Sequence, residues 1–242
     1  MTTDPHSPSG YYMDRREKEL IQRLLKPVDG EHLLDVGCRA GNYLRFFRGK
    51  GCDVTGTEPS QHMLDMTRVK LGQRADLCPG SYDDLPFSDN EFDIVTIIFP
   101  DSACNIQIAL NEAIRVCRGR IFLGTTNRYS ATSAHEMKKI TPYCNTNRSS
   151  IPELIRLIRS ALPGTSIKWG SVIFFPPKMY PAISFFEERI PVTRNPFGSF
   201  IGLAFPVTYN LITAQNPLVE TSKTKAARRS PEPGAARRIV GK

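Results

Sequence analysis

The chain is poor in the features that would mark a membrane-spanning, secreted or metal-built protein. No apolar run approaches the roughly 20 residues that a membrane-spanning helix needs, and the opening MTTDPHSPSG has neither the basic stretch nor the apolar core of a secretory signal. The expectation is a cytoplasmic protein with no membrane span. Its six cysteines (Cys38, Cys52, Cys78, Cys104, Cys117 and Cys144) are scattered, with no C-x-x-C and no histidine nearby at metal-ligand spacing. That pattern predicts no metal centre and reads as small, largely buried hydrophobes.

Net charge is also small outside one end. Between Lys223 and Lys242 seven basic residues (Lys223, Lys225, Arg228, Arg229, Arg237, Arg238, Lys242) face one acid, Glu232, so this end carries +6 of the chain's +8. A segment of Ala, Pro, Ser and Gly with those charges has nothing to build a core from, and residues 216–242 are expected to be a disordered basic tail. A solvated terminus is the default reading. Peripheral contact with an anionic membrane surface or with nucleic acid is the alternative, and nucleic acid is not the expected partner because the remainder carries only +2.

What is present fits one α/β domain. A length of 242 residues suffices for one well-buried domain and not for two full ones, and the 40% hydrophobic content agrees with a globular protein. Residues 1–10 are read as a flexible N-terminus and 11–215 as the domain. The segment YYMDRREKELIQRLLKPV places Leu20, Ile21, Leu24 and Leu25 on one face of a helix ended by Pro27.

The chain is organised around residues 33–41, LLDVGCRAG. Leu33, Leu34 and Val36 supply a buried strand, and Gly37 and Gly41 permit a tight turn into the helix that follows. Such a turn is expected to aim free backbone N–H groups at a ligand. The run CDVTGTEPS reads as a second buried strand ending in Glu58, the kind of place where an acid holds the two hydroxyls of a ribose.

Four segments in order resemble the class I S-adenosylmethionine-dependent methyltransferases, in the small-molecule branch of the ubiquinone and menaquinone methyltransferases (type 11). They are LLDVGCRAG, VTGTEPS, GSYDDLPFSDNEFDIV and EAIRVCRGRIFLGTT. The resemblance implies a Rossmann-like seven-stranded sheet of order 3-2-1-4-5-7-6, strand 7 antiparallel, with helices on both faces. It implies S-adenosyl-L-methionine as cofactor, held by Asp35, Gly37, Cys38, Arg39, Gly41, Glu58, Pro59, Met63, Ser81, Tyr82 and Phe99. Within that set Asp35 and Glu58 flank one pocket, Ser81 and Tyr82 recognise adenine, and Phe99 closes the methionine side. Met63 either touches adenine or belongs to the core. Arg39 departs from the pattern, since the family has glycine there; its side chain either points to solvent or crowds the site.

The acceptor implied is small, and lipophilic or aromatic. The end of the fourth strand, IIFPDSACN, does not match the D/N-P-P-Y/F motif of enzymes that methylate amides or exocyclic amines. Asp101, Ser102 and Asn105 lie near the expected transfer point or simply form a turn and a helix cap. Residues 127–150 interrupt the regular pattern and are read as a substrate lid. Candidate acceptor residues are Tyr11, Tyr12, Tyr129, His135 and Tyr143, with Tyr180 added for the same apolar pocket. His135 is the one candidate general base, because imidazole titrates near neutrality, the plainer reading being an exposed histidine. Two other readings of the same fold stand beside this one: a cofactor-binding or regulatory protein that no longer transfers methyl groups, and an RNA or protein methyltransferase recruited by the basic tail.

Overall fold

A computed structural model describes residues 8–101, 103–130, 147–175, 179, 185 and 188–207. The chain divides into units Met1–Thr208 and Tyr209–Lys242; the second, with the basic tail, lies outside the described residues.

The first unit alternates helix and strand: α1 (Pro8–Leu25), β1 (His32–Val36), α2 (Asn42–Arg48), β2 (Asp53–Glu58), α3 (Gln61–Leu71), β3 (Asp76–Pro79), β4 (Phe92–Ile98), α4 (Ile106–Val116), β5 (Cys117–Asn127), β6 (Arg148–Ser149), α5 (Ile151–Ala161), β7 (Lys168–Val172) and β8 (Phe200–Pro206). The sheet runs β3-β2-β1-β4-β5-β8-β7. Strand β8 is antiparallel to both neighbours, while β1 to β5 pair in parallel. This is the expected methyltransferase order with one strand added: the two-residue β6 pairs with the end of β5, so the reversed strand is counted eighth. The helix α1 starts at Pro8, three residues before the expected Tyr11.

Alternation along the strands divides the interior in two. Leu33, Ile94, Ile98, Phe122, Phe200 and Ala204 point to the face covered by α1 and α2. Leu34, Val36, Val95, Ile97, Ile121, Leu123, Ile201 and Leu203 point to the face covered by α4 and α5. Successive strand residues face opposite sides, which is why both faces need apolar side chains and the strands read as unbroken apolar runs. On the first face α1 comes close to the sheet where side chains are missing. A methyl group added to Gly202 would stand 2.7 Å from the Phe122 ring and 3.3 Å from Leu20, so glycine makes the space for both.

The expected lid is anchored at both ends. Asn127 donates to the carbonyls of Pro196 and Gly198, each at 2.8 Å. Asn147 donates through its side chain to the carbonyls of Asp101 and Cys104, and through its backbone to Pro100. Residues 131–146 between these anchors lie outside the described residues, as do His135 and Tyr143.

Candidate functional site

The turn after β1 winds through three left-handed residues, Gly37 at φ 73°, Arg39 at 51° and Gly41 at 70°. Four of its backbone donors are spent inside the protein. The N–H groups of Gly37 and Cys38 both donate to the Thr57 carbonyl (2.8 and 2.9 Å), and that of Gly41 donates to Cys38. The Arg39 N–H donates to Glu58 Oε2 at 3.0 Å. The expectation that the turn's groups point free at a ligand fails for these four, which fasten the turn sideways onto β2 or close it on itself; Ala40, between them, lines the cleft. Helix α3 fastens the turn's carbonyls, with the Thr67 hydroxyl 2.7 Å from the Arg39 oxygen and Lys70 Nζ 2.6 Å from that of Ala40.

That fastening aims one acid. Glu58 ends β2, is 7% exposed, and takes a second backbone donor, Ser60 N–H, on Oε1 at 3.2 Å. Each carboxylate oxygen has two acceptor positions, so each keeps one for a ligand hydroxyl.

A cleft of about 1180 Å³ opens beside it. The wall from α1 presents Tyr11, Met13, Asp14 and Glu17, and that from α2 presents Tyr43 and Phe46. Glu58, Pro59, Ser60, Met63 and Met66 form the opposite side, and Arg39, Tyr82 and Asp101 complete it. Five of the expected cofactor residues thus line one cavity: Arg39, Glu58, Pro59, Met63 and Tyr82.

The others do not line it. Asp35 does not flank the pocket; it is 1% exposed and accepts the Thr96 hydroxyl of β4 at 2.7 Å. Burial pushes its carboxyl up to about 7, with Thr96 opposing, Glu58 adding and Arg39 opposing. Gly37 serves by having no side chain, since an added methyl would stand 2.0 Å from the Tyr82 hydroxyl. Gly41 is packed under Thr67 in the same way. Cys38 is buried, and burial raises its thiol far above the ordinary range, so it stays protonated. Ser81 turns its hydroxyl to Asp83. The Phe99 ring packs on Phe200 at 5.0 Å inside the core, and only its carbonyl reaches the site, accepting from Arg39 Nη2 at 2.6 Å.

Of the expected acceptor residues, Tyr11 lines the cleft and is 71% exposed. Tyr12, one position on, faces the sheet and is 8% exposed, because a single step on a helix turns a side chain by about 100°. Tyr129 is exposed and does not line the cavity. Ser102 and Tyr180 lie outside the described residues. Asn105 is a helix cap, accepting from the N–H groups of Gln107 and Ile108. Met66, one turn along α3 from Met63, is 46% exposed in the cleft wall.

Two residues were missed. Glu17 is buried and accepts the Tyr43 hydroxyl at 2.8 Å; burial pushes its carboxyl up to about 8 against that hydrogen bond. The sequence signal is an acid on the apolar stripe of α1, one turn from Met13, Leu20 and Ile21. Tyr43 stands at the start of α2, and its pairing with an acid of α1 has no signal in the local sequence.

Residues 34–121 match the family described as a methyltransferase domain. The matched segment is about a third of the chain, and the fold around it is the Rossmann-like one of the class I S-adenosylmethionine-dependent methyltransferases. The segment holds the turn, Glu58, Tyr82 and Asp101 and includes neither α1 nor residues 127–150. Among curated proteins the chain is similar to the ubiquinone/menaquinone biosynthesis C-methyltransferase of Cereibacter sphaeroides, 34% identical over 116 residues, 44% of this chain and 46% of that one. It is also similar to the malonyl-[acyl-carrier protein] O-methyltransferase of Enterobacter lignolyticus, 28% identical over 138 residues, 56% of this chain and 53% of that one. The match thus spans about half the length of these relatives. Among solved structures a Thermotoga maritima protein, a SAM-dependent methyltransferase described as a possible histamine N-methyltransferase, has the same fold at TM-score 0.64 and 20% identity, covering 83% of this chain and 91% of that one. Among the described residues no helix is long and apolar enough to cross a membrane, and no group of three or more His, Cys, Asp or Glu is placed to hold a metal ion.

Proposed function

We propose that the chain is an S-adenosylmethionine-dependent methyltransferase whose acceptor is a small, partly apolar molecule, acting in the cytoplasm. The observation that carries the reading is Glu58, a carboxylate at the C-terminal end of a parallel strand, aimed into the cleft by Arg39 N–H and Ser60 N–H. Such an acid suits the vicinal hydroxyls of a ribose. The residues present fit an adenine nucleoside: Glu58 keeps two acceptor positions, and Pro59, Met63 and Tyr82 offer apolar surface beside it. The cavity exceeds the 300–1,000 Å³ or so of ordinary small-molecule sites, which leaves room for an acceptor as well.

When bound, S-adenosylmethionine supplies a methyl carbon already made electrophilic by its sulfonium. The protein's share is then orientation and exclusion of water. Tyr11, Phe46 and Met66 offer apolar and aromatic surface for the acceptor. Glu17 lines the cleft and holds a proton at neutral pH, so it offers an acceptor a hydrogen-bond donor rather than a base. Two of the three similar proteins are named as C- and O-methyltransferases and the third is described as a possible N-methyltransferase. The shared part of the site therefore favours the cofactor and leaves the acceptor atom to α1 and the lid.

Calorimetric titration with S-adenosylhomocysteine tests the reading. The wild type is expected to bind, and Glu58→Ala to bind at least tenfold more weakly, a loss of about 1.4 kcal/mol or more. Equal binding by the two would remove Glu58 from the site and the reading with it.

A further inference from the structure

Arg39 joins the two ends of the cofactor path. Its N–H is bonded to Glu58, and its guanidinium donates to the Phe99 carbonyl at the exit of β4, 2.6 Å away. Between these contacts the side chain crosses from the end of β1 to the end of β4, the stretch left for the amino-acid part of a nucleoside cofactor whose ribose rests on Glu58.

Three features hold it in place. The Arg39 carbonyl is 2.7 Å from the Thr67 hydroxyl, which fixes the peptide. Tyr82 closes over Gly37 on the neighbouring side and lines the cleft beside Arg39. The residue itself stands at φ 51°, a left-handed conformation that glycine adopts without cost and a residue with a Cβ does not. The chain thus accepts an unfavourable backbone angle at the one position of the turn where it places a cation.

A ligand ammonium brought to that carbonyl would meet the guanidinium, and two cations cannot share that acceptor without repulsion. We infer that Arg39 decides which adenine nucleosides the cleft admits: its guanidinium is the resting occupant of the amino-acid end. A nucleoside that ends at its 5′ thioether enters without moving it. One that carries an amino-acid tail must first break the bond to Phe99. The inference rests on the reading of the cleft as a nucleoside site.

The test is calorimetry on the full chain and on Arg39→Gly and Arg39→Met, with S-adenosylhomocysteine and with 5′-methylthioadenosine, which lacks the tail. Glycine removes the side chain and suits the backbone angle; methionine keeps the stem without the donor. Both variants are expected to bind S-adenosylhomocysteine about tenfold more tightly than the wild type, one decade being about 1.4 kcal/mol. Affinity for 5′-methylthioadenosine should stay within about twofold across all three proteins, since it makes no contact that Arg39 blocks. Unchanged or weaker binding of S-adenosylhomocysteine by the variants, with 5′-methylthioadenosine bound throughout, would overturn the inference and leave the nucleoside site standing. If neither ligand binds any of the three proteins, the site assignment itself fails.

Discussion

The two faces of the sheet are built from the same apolar alphabet but not for the same purpose. Under α4 and α5 the helices contribute Ala109, Leu110, Ala113, Val116, Ile151, Leu154 and Ile158, all buried and all apolar. Under α1 the helix that brings Leu20, Ile21, Leu24 and Leu25 also buries Arg16 and Glu17. Burying an ionisable group is unfavourable unless a partner compensates it. Glu17 has Tyr43, and Arg16 reaches Glu19 at 2.6 Å. One face is therefore packed for stability alone, and the other accepts polar cost beside the cleft.

The largest effect should come from damaging the apolar face. Leu110→Ala removes a fully buried side chain and should cost roughly 2–5 kcal/mol in urea unfolding, while protein that remains folded binds S-adenosylhomocysteine as the wild type does. A large loss of binding without loss of folding would erase the distinction between the faces.

Next in size is Glu58→Ala. Calorimetry should show the loss of about 1.4 kcal/mol or more in affinity already described, with a smaller change in stability. The comparison weakens if stability falls more than affinity, since Glu58 would then matter for holding the turn rather than the ligand.

A pH experiment separates the faces without touching packing. Glu17 and Asp35 are raised by burial to about 8 and about 7, from ordinary carboxylate values of 4.5 and 3.8. The folded chain therefore holds protons that the unfolded chain releases. Their contribution to stability is complete below about pH 4 and is lost as pH rises toward 8, with a slope of at most about 1.4 kcal/mol per pH unit for each group. Glu17→Gln, neutral at every pH, should remove one share of that slope and leave that of Asp35 up to about pH 7. An unaltered slope in the variant would mean that Glu17 does not titrate in this window.

The smallest effect belongs to Tyr11→Ala. The side chain is 71% exposed on the cleft wall, so stability should change by no more than about 0.5 kcal/mol. Any larger consequence should appear in acceptor binding, which would extend the polar, functional character of the α1 face to its rim.

The strands and the acid at the end of β2 were legible early because they follow from period and spacing, while the strand order was expected from the family resemblance. Continuous runs such as FDIVTIIF belong to strands buried on both faces, and an acid closing the strand after a glycine turn marks Glu58. Side-chain direction was less legible. Asp35 and Phe99 sit at the right strand ends yet turn into the interior, Asp35 toward Thr96 and Phe99 toward Phe200. Glu17 was overlooked because a charged residue in a charged stretch reads as solvated until the helix is seen docked.

By itself the sequence determined the alternation of helix and strand, the glycine turn and the acid that faces it. These depend on neighbours a few residues apart and on which side chains water rejects. Only the tertiary structure decided where the turn's donors go, that Thr57 and Glu58 take them, and that Arg39 reaches the Phe99 carbonyl sixty residues away. Those bonds join segments distant in the chain, and their geometry exists only once β1, β2 and β4 lie side by side.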